Sequence, residues 1–302
     1  MSLESGVAAP GIATRALTAG LGLAARLPFA WVQALGGGLG WLSAVAPNEH
    51  RAVARRNIEL CFPELSAQER RALERASLVE SGRTLTETVA IWLGPPSRAR
   101  LVVEVEGEAA LRDALATGRG AVICSPHLGS WEMAGLYLGS RYPMTSMYRP
   151  PRQQAFEHIV RRARERTGAQ LVPTDAGGIR ALYQGLKQGR LIGILPDQDP
   201  RDPDGAFAPF FGIQANTMTL VSRLAAKTRV PVFFTFAERL PRGRGFRLRI
   251  IPAPAGIDSP DLNTSAAALN HGVEQCVRIA PAQYQWSYKR FRTRPKGEPR
   301  VY

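Results

Sequence analysis

At 302 residues, 45% of them hydrophobic, the chain can bury a sizeable core as one large domain, with or without an appendage. Its 39 Lys and Arg against 25 Asp and Glu leave a formal charge of +14, attractive to phosphates, anionic lipid headgroups or acidic proteins. Nucleic acid is the first suspect for such a charge, but no zinc-finger spacing, RNP-like motif or basic block interleaved with stacking aromatics is present, and that class is set aside.

Residues 27–48 carry no charge and contain Trp31, Trp41 and the run Gly36-Gly37-Gly38. As a helix they would extend about 33 Å, enough to cross a bilayer, although Pro28, Gln33, Ser43 and the glycines lower the hydrophobicity. A re-entrant or surface segment and a hairpin packed on the protein compete with spanning; membrane attachment is the favoured expectation for residues 1–48. Arg51, Arg55 and Arg56 follow directly, which would keep the rest of the chain cytoplasmic. A cleaved signal is disfavoured by Pro47 after Ala44-Val45-Ala46. Gly20-x-Gly22-x-x-Ala25 follows no strand and is discarded as a dinucleotide fingerprint.

A helix is expected over 48–60. Ser66-Ala67-Gln68-Glu69 reads as a capping box opening a long helix to Leu93, stopped by Gly94-Pro95-Pro96. From Leu101 strands and helices alternate. Strands are expected at 101–105, 121–124, 144–148, 170–172, 191–195, 230–236 and 246–251, with helices at 108–116, 131–138, 153–167, 178–188, 215–227 and 263–279. Such alternation predicts a single α/β domain over 49–302 with helices covering the sheet. Cys61, Cys124 and Cys276 are odd in number and widely spaced, with neither a metal-ligand pattern nor a disulfide framework, which points to a reducing compartment. Cys124 reads as a buried structural thiol rather than a nucleophile.

The stretch Ala121 to Glu132 carries the chemistry. An apolar strand ends at Ser125-Pro126, His127 sits in the turn, and Glu132 opens a helix. On a regular helix the two would lie about 140° apart; a bend at Leu128-Gly129 lets them meet, Glu132 fixing one imidazole nitrogen and leaving the other as a base. An incidental His–Glu pair is the competing reading. Arg149 ends a strand, Arg164 lies on the following helix, and Asp197 and Asp199 emerge where the strand 191–195 ends, the position at which open α/β sheets bind ligands. Two acids without further clustered oxygen ligands make a weak metal site, and none is expected. Phe207, Phe210 and Phe211 suit either the lining of an apolar channel or aromatic core packing, and a helix after Gly212 would offer its N-terminus to an anion.

His-x-x-x-x-Glu in a strand–turn–helix resembles the acceptor-activating motif of the lipid A late acyltransferases, the lauroyl and myristoyl transferase family. In the wider glycerol-phosphate acyltransferase superfamily Asp is usual at the second position, so Glu132 points to the lipid A branch. Arg56-Asn57 with Phe62-Pro63, Tyr148-Arg149-Pro150, Arg164 before Gly168, Pro196-Asp197-Gln198-Asp199 with Phe210-Phe211-Gly212 and Thr217, Pro281-x-x-Tyr284-x-Trp286, and Lys289 to Pro295 resemble the family in the same order. The resemblance covers about Arg26 to Pro295.

It implies a glycerol-phosphate-acyltransferase-like domain with a central mixed sheet, and transfer of a fatty acyl group from acyl carrier protein to a hydroxyl of a 3-hydroxyacyl chain on a lipid A precursor, at the cytoplasmic face of a bacterial inner membrane. His127 and Glu132 would be catalytic; Arg149, Arg164, Asp197 and Asp199 would bind or position substrate; no cofactor is implied. No Gly-x-Ser-x-Gly elbow supports an acyl-serine intermediate. A sister acyltransferase acting on another glycolipid, aminolipid or pigment, and an inactive basic relative that binds membrane or nucleic acid, are the alternatives.

Overall fold

The computed structural model describes residues 25–149, 154–200 and 205–302, together with Gly20 and Gly22. Three helices lead the described chain. Helix α1 (Phe29–Val45) packs along α3 (Ala67–Leu93), and α2 (Glu49–Cys61) connects them. Glycine makes the α1–α3 contact: a Cβ on Gly36 would meet the Arg83 Cα at 2.6 Å, and one on Gly40 the Val79 Cα at 2.6 Å. Gly82 of α3 is equally tight against Gly40, so the two backbones touch. Both halves of the expected capping box form, Ser66 Oγ accepting from the Glu69 amide and Glu69 from the Ser66 amide.

Seven strands then build one mixed sheet in the order β1-β9-β8-β2-β5-β3-β4. These are β1 (Val102–Glu106), β2 (Ala121–Cys124), β3 (Met144–Met147), β4 (Gln170–Val172), β5 (Leu191–Ile194), β8 (Val232–Arg239) and β9 (Phe246–Pro252). All neighbouring pairs run parallel except β8–β9. The central strands β2 and β5 are buried along their whole length, which is why they read as continuous apolar runs. Val122 and Cys124 face one core layer with Leu182, Leu224 and Leu269; Ala121 and Ile123 face the other with Leu111, Met133 and Leu138. Thus α7 (Ala176–Lys187), α8 (Leu220–Thr228) and α9 (Leu262–Ile279) cover one face, and α4 (Glu108–Ala116) and α5 (Trp131–Arg141) the other. Helix α6 (Gln154–Glu165) joins β3 to β4.

The sheet and its covering helices match the expected α/β architecture. The expected helix over 215–227 does not. Residues 206–217 form a separate hairpin, β6 (Ala206–Phe210) with β7 (Ile213–Thr217), and the helix starts only at Leu220. The two-residue loop Phe211-Gly212 has both φ angles positive, +50° and +76°, as a tight hairpin turn with the right twist demands. No helix N-terminus therefore follows Gly212. Phe210 and Phe211 join Phe62, Tyr284, Trp286 and Phe291 in an aromatic core, not an acyl channel. Pro150 of the Tyr148-Arg149-Pro150 motif lies outside the described residues.

Among the described residues no single helix is long and apolar enough to cross a membrane; α1 and α2 pass a length and composition test only as a pair bent by 80°.

Candidate active site

Strands β2 and β5 are parallel and in register, with Cys124 opposite Ile194. Three residues beyond each of these, His127 and Asp197 come out of the sheet side by side. The His127 amide donates to Asp197 Oδ2 at 3.0 Å, and Nδ1 lies 2.8 Å from Oδ1. Asp197 is 3% exposed. Burial pushes its carboxyl up, but the charge and hydrogen bonds of His127 outweigh this and hold it below the ordinary carboxylate value. An ionised carboxylate places the ring proton on Nδ1, leaving the Nε2 lone pair outward. The Gln198 amide nitrogen lies 3.2 Å from Nε2 and donates to it; the Trp131 ring packs edge-on against the imidazole at 4.9 Å.

The loop is fixed from its other side by the C-terminal signature. The Gln285 amide donates to the His127 carbonyl at 3.0 Å, Leu128 bridges to Tyr284, and the Gly129 amide donates to the Gln283 carbonyl at 3.0 Å. Gly129 has φ +61°, and a Cβ there would stand 2.2 Å from the Ala237 carbonyl oxygen; only glycine fits. Thr84 of α3 donates to the Gly129 carbonyl at 3.2 Å.

Glu132 does not orient His127, contrary to expectation. It lies in the first turn of α5, and its carboxylate forms a two-point pair with Arg164 of α6, Nε to Oε2 at 3.1 Å and Nη2 to Oε1. Helix α5 turns Glu132 toward α6, whereas strand register delivers Asp197 to the histidine. Burial pushes the Glu132 carboxyl up; the charge and hydrogen bonds of Arg164 bring it below the ordinary value. The same pairing raises Arg164 against its own burial.

Glu132, Arg164, Trp131 and Ser125 line a pocket between the sheet and α5, α6 and the C-terminal end of α3. Its remaining wall is largely apolar, including Ile91, Leu136, Leu138, Met144, Ala163 and Ile194. Gly135 also lines it, and a Cβ there would meet nothing within 4 Å. The Ser125 hydroxyl is buried and has no hydrogen-bond partner among the described residues. Arg166 clamps the pocket wall, donating to the carbonyls of Trp92, Gly94 and Ile91.

The other expected residues separate from this centre. Arg149 is exposed just beyond β3, with no hydrogen bond or ion pair among the described residues. Asp199 is 5% exposed; its carboxylate accepts from the Asn216 side chain at 3.1 Å and the Thr293 amide at 2.8 Å. It ties the C-terminal segment to β7, a structural clamp in place of the expected substrate contact. Asn57 has a similar role, its amide nitrogen donating to the carbonyls of Trp286 and Tyr288. Cys124 is fully buried, burial pushing its thiol up, so it is no nucleophile. Among the described residues no three His, Cys, Asp or Glu side chains cluster as metal ligands would.

Reading motifs alone did not pair Asp197 with His127 and gave no separate role to Gln198 or Ser125. The strand ends would have paired His127 with Asp197, because equal offsets from neighbouring parallel strands converge.

The profile of the bacterial lipid A biosynthesis acyltransferases matches residues 6–293. The chain is 32% identical over 286 residues to the lipid A biosynthesis lauroyltransferase of Escherichia coli K12, covering 93% of this chain and 92% of that protein. It is 33% identical to the palmitoleoyltransferase of the same organism, over 92% and 90%, and 26% identical to its myristoyltransferase, over 82% and 76%.

Proposed function

Because the chain belongs to the bacterial lipid A biosynthesis acyltransferase family, we propose that it transfers a fatty acyl group from an acyl carrier protein thioester directly to a hydroxyl of a 3-hydroxyacyl chain on a lipid A precursor. The observation that carries the mechanism is the Asp197-held imidazole, whose Nε2 lone pair faces away from the carboxylate and, among the described residues, accepts only from the Gln198 side chain, a donor that an incoming hydroxyl displaces. Nε2 removes the hydroxyl proton as the oxygen attacks the thioester carbonyl. The tetrahedral intermediate collapses, the carbon–sulfur bond breaks, and the departing thiolate recovers the proton from Nε2. Asp197 fixes the tautomer and stabilises the imidazolium throughout. General-base help of this kind contributes on the order of 10²–10⁴-fold.

The apolar pocket suits the acyl chain; in this reading the thioester carbonyl sits at the end where Glu132 and Arg164 pair, next to Trp131, whose ring also packs on the imidazole. Glu132 keeps the guanidinium of Arg164 charged and fixed at that end, where it steadies negative charge on the carbonyl oxygen. A charge of +14 favours an acidic carrier protein, a phosphorylated acceptor and an anionic inner-membrane leaflet on the cytoplasmic side. Arg149 is free to contact either substrate.

The test is mass spectrometry of a purified reaction containing acyl carrier protein loaded with mixed chain lengths and a tetra-acylated lipid A precursor. A gain of one acyl mass, abolished in His127→Ala, is expected. Near-normal transfer by His127→Ala would refute the mechanism; no gain with intact enzyme would refute this acceptor.

A further inference from the structure

Helix α1 is apolar on a face that the protein leaves uncovered. Trp31, Leu35, Leu39, Trp41, Leu42 and Val45 are each 46–69% exposed. With Leu27 they make up seven of the eleven exposed large hydrophobic side chains among the described residues. At 3.6 residues per turn, the six on α1 fall within about 160° of the helix circumference. The opposite face holds the buried residues Val32, Gln33, Gly36, Gly40 and Ala44. This face is locked to α3 by the glycine contacts and by Gln33, which donates to Glu87 at 2.7 Å; Thr86 also donates to the Val32 carbonyl at 2.8 Å.

At the C-terminal end of this apolar face lies a cleft of about 420 Å³ between α1, α2 and α3. Trp41, Ala44, Val45, Ala76 and Val79 form its apolar walls, and Arg51 and Arg75 its charged ones. Arg51 is held in place by Glu74 at 2.8 Å and the Val45 carbonyl at 3.3 Å. Arg75 is exposed and makes no hydrogen bond or ion pair among the described residues.

We propose that α1 is a monotopic membrane anchor, lying in the plane of an anionic bilayer surface with its Trp and Leu face among the acyl chains and a lipid phosphate seated between Arg51 and Arg75. The proposal rests on the membrane attachment proposed above and specifies its mode. A bilayer is the occupant that fits: an aliphatic strip bearing two tryptophans, ended by cations, on a chain of charge +14, is the pattern of an interfacial helix. Spanning would require α1 to leave α3, breaking the backbone-to-backbone contact and leaving Glu87 without Gln33.

The test uses the full chain with phosphatidylglycerol and phosphatidylcholine vesicles. The three native thiols are buried, so Trp31→Cys and Leu42→Cys, made separately, each take a fluorophore selectively. The two sites lie about 16 Å apart along the helix axis. Depth-dependent quenching by nitroxide lipids is expected to put both labels at one shallow depth, about 5–10 Å into the boundary of headgroups and chains. Arg75→Gln is expected to weaken partitioning into phosphatidylglycerol about fivefold and leave phosphatidylcholine unaffected. Depths differing by more than about 10 Å would show a spanning helix and overturn the proposal, while membrane attachment stands. An unchanged partition in Arg75→Gln would overturn the phosphate site. Absence of binding to either vesicle would refute both the anchor and the attachment, and leave acyl transfer measured in detergent untouched.

Discussion

Two buried carboxylates serve the site, one on the pocket wall and one beside His127, and their partners separate their roles. Asp197 and Glu132 are 3% and 6% exposed, and both are held below the ordinary carboxylate value by a cation or cation-forming partner. Asp197 holds an imidazole, a group that gains and loses a proton with a second nitrogen facing outward. Glu132 holds a guanidinium, which stays charged at any working pH. The first pair can move a proton; the second can only place a charge. What distinguishes them is the element each comes from, a strand end in register with β2 for Asp197 and a helix face directed at α6 for Glu132.

The largest expected effect breaks the first pair. His127→Ala and Asp197→Asn should each lower kcat by about 10²–10⁴-fold with the chain still folded, measured by acyl transfer together with circular dichroism. Glu132→Gln should act first on stability: it leaves Arg164 without its counter-ion, costing roughly 3 kcal/mol in urea unfolding. Retention of full stability by Glu132→Gln would make the two pairs equivalent. Gly129→Ala perturbs the loop and not its side chains. With φ +61° and the Ala237 carbonyl at 2.2 Å from the new Cβ, about 2 kcal/mol of strain is expected, seen as a lower urea midpoint and reduced kcat.

Acid titration sharpens the same contrast. Burial pushes both carboxyls up, and His127 and Arg164 more than reverse that push. Depressed folded-state values contribute stability that is fully present above about pH 4 and is lost as pH falls through them. The double variant Asp197→Asn, Glu132→Gln should therefore lose less stability than the native chain on acidification from about pH 5 to pH 2. A steeper loss in the variant would reverse the sign. The smallest effect should come from Gly135→Leu, whose side chain enters the pocket without meeting another atom at Cβ. Its fold should be unchanged and its acyl preference shifted to shorter chains, by about fourfold for each methylene displaced.

Much of the fold was legible because its signals are local. The β2 and β5 runs, the Ser66 capping box and the stop at Gly94 each depend on a few adjacent residues. The hairpin over 206–217 was missed because the end of its second strand, Ile213–Thr217, was read into the helix expected over 215–227. The deciding fact, left-handed backbone at Phe211, is unusual for a bulky residue and is supported by Glu274, whose Oε1 accepts from the Phe211 amide at 2.6 Å. At the site, the residues were found but their pairing was not. His127 and Glu132 are five apart in the chain; His127 and Asp197 are seventy apart and meet only through the sheet. Asp199 carries the same motif signal as Asp197, yet two residues further on it faces the C-terminal segment, a distinction that requires three dimensions.

The central claim is that Asp197, not Glu132, sets the tautomer of His127. It is tested most directly by ¹⁵N NMR of the histidine side chains, with His127 assigned by its loss in His127→Ala. The native enzyme should show His127 protonated on Nδ1 in the neutral form; that signature should persist in Glu132→Gln and change in Asp197→Asn. A signature that persists in Asp197→Asn and is lost in Glu132→Gln would contradict the assignment and restore Glu132 as the partner of the base.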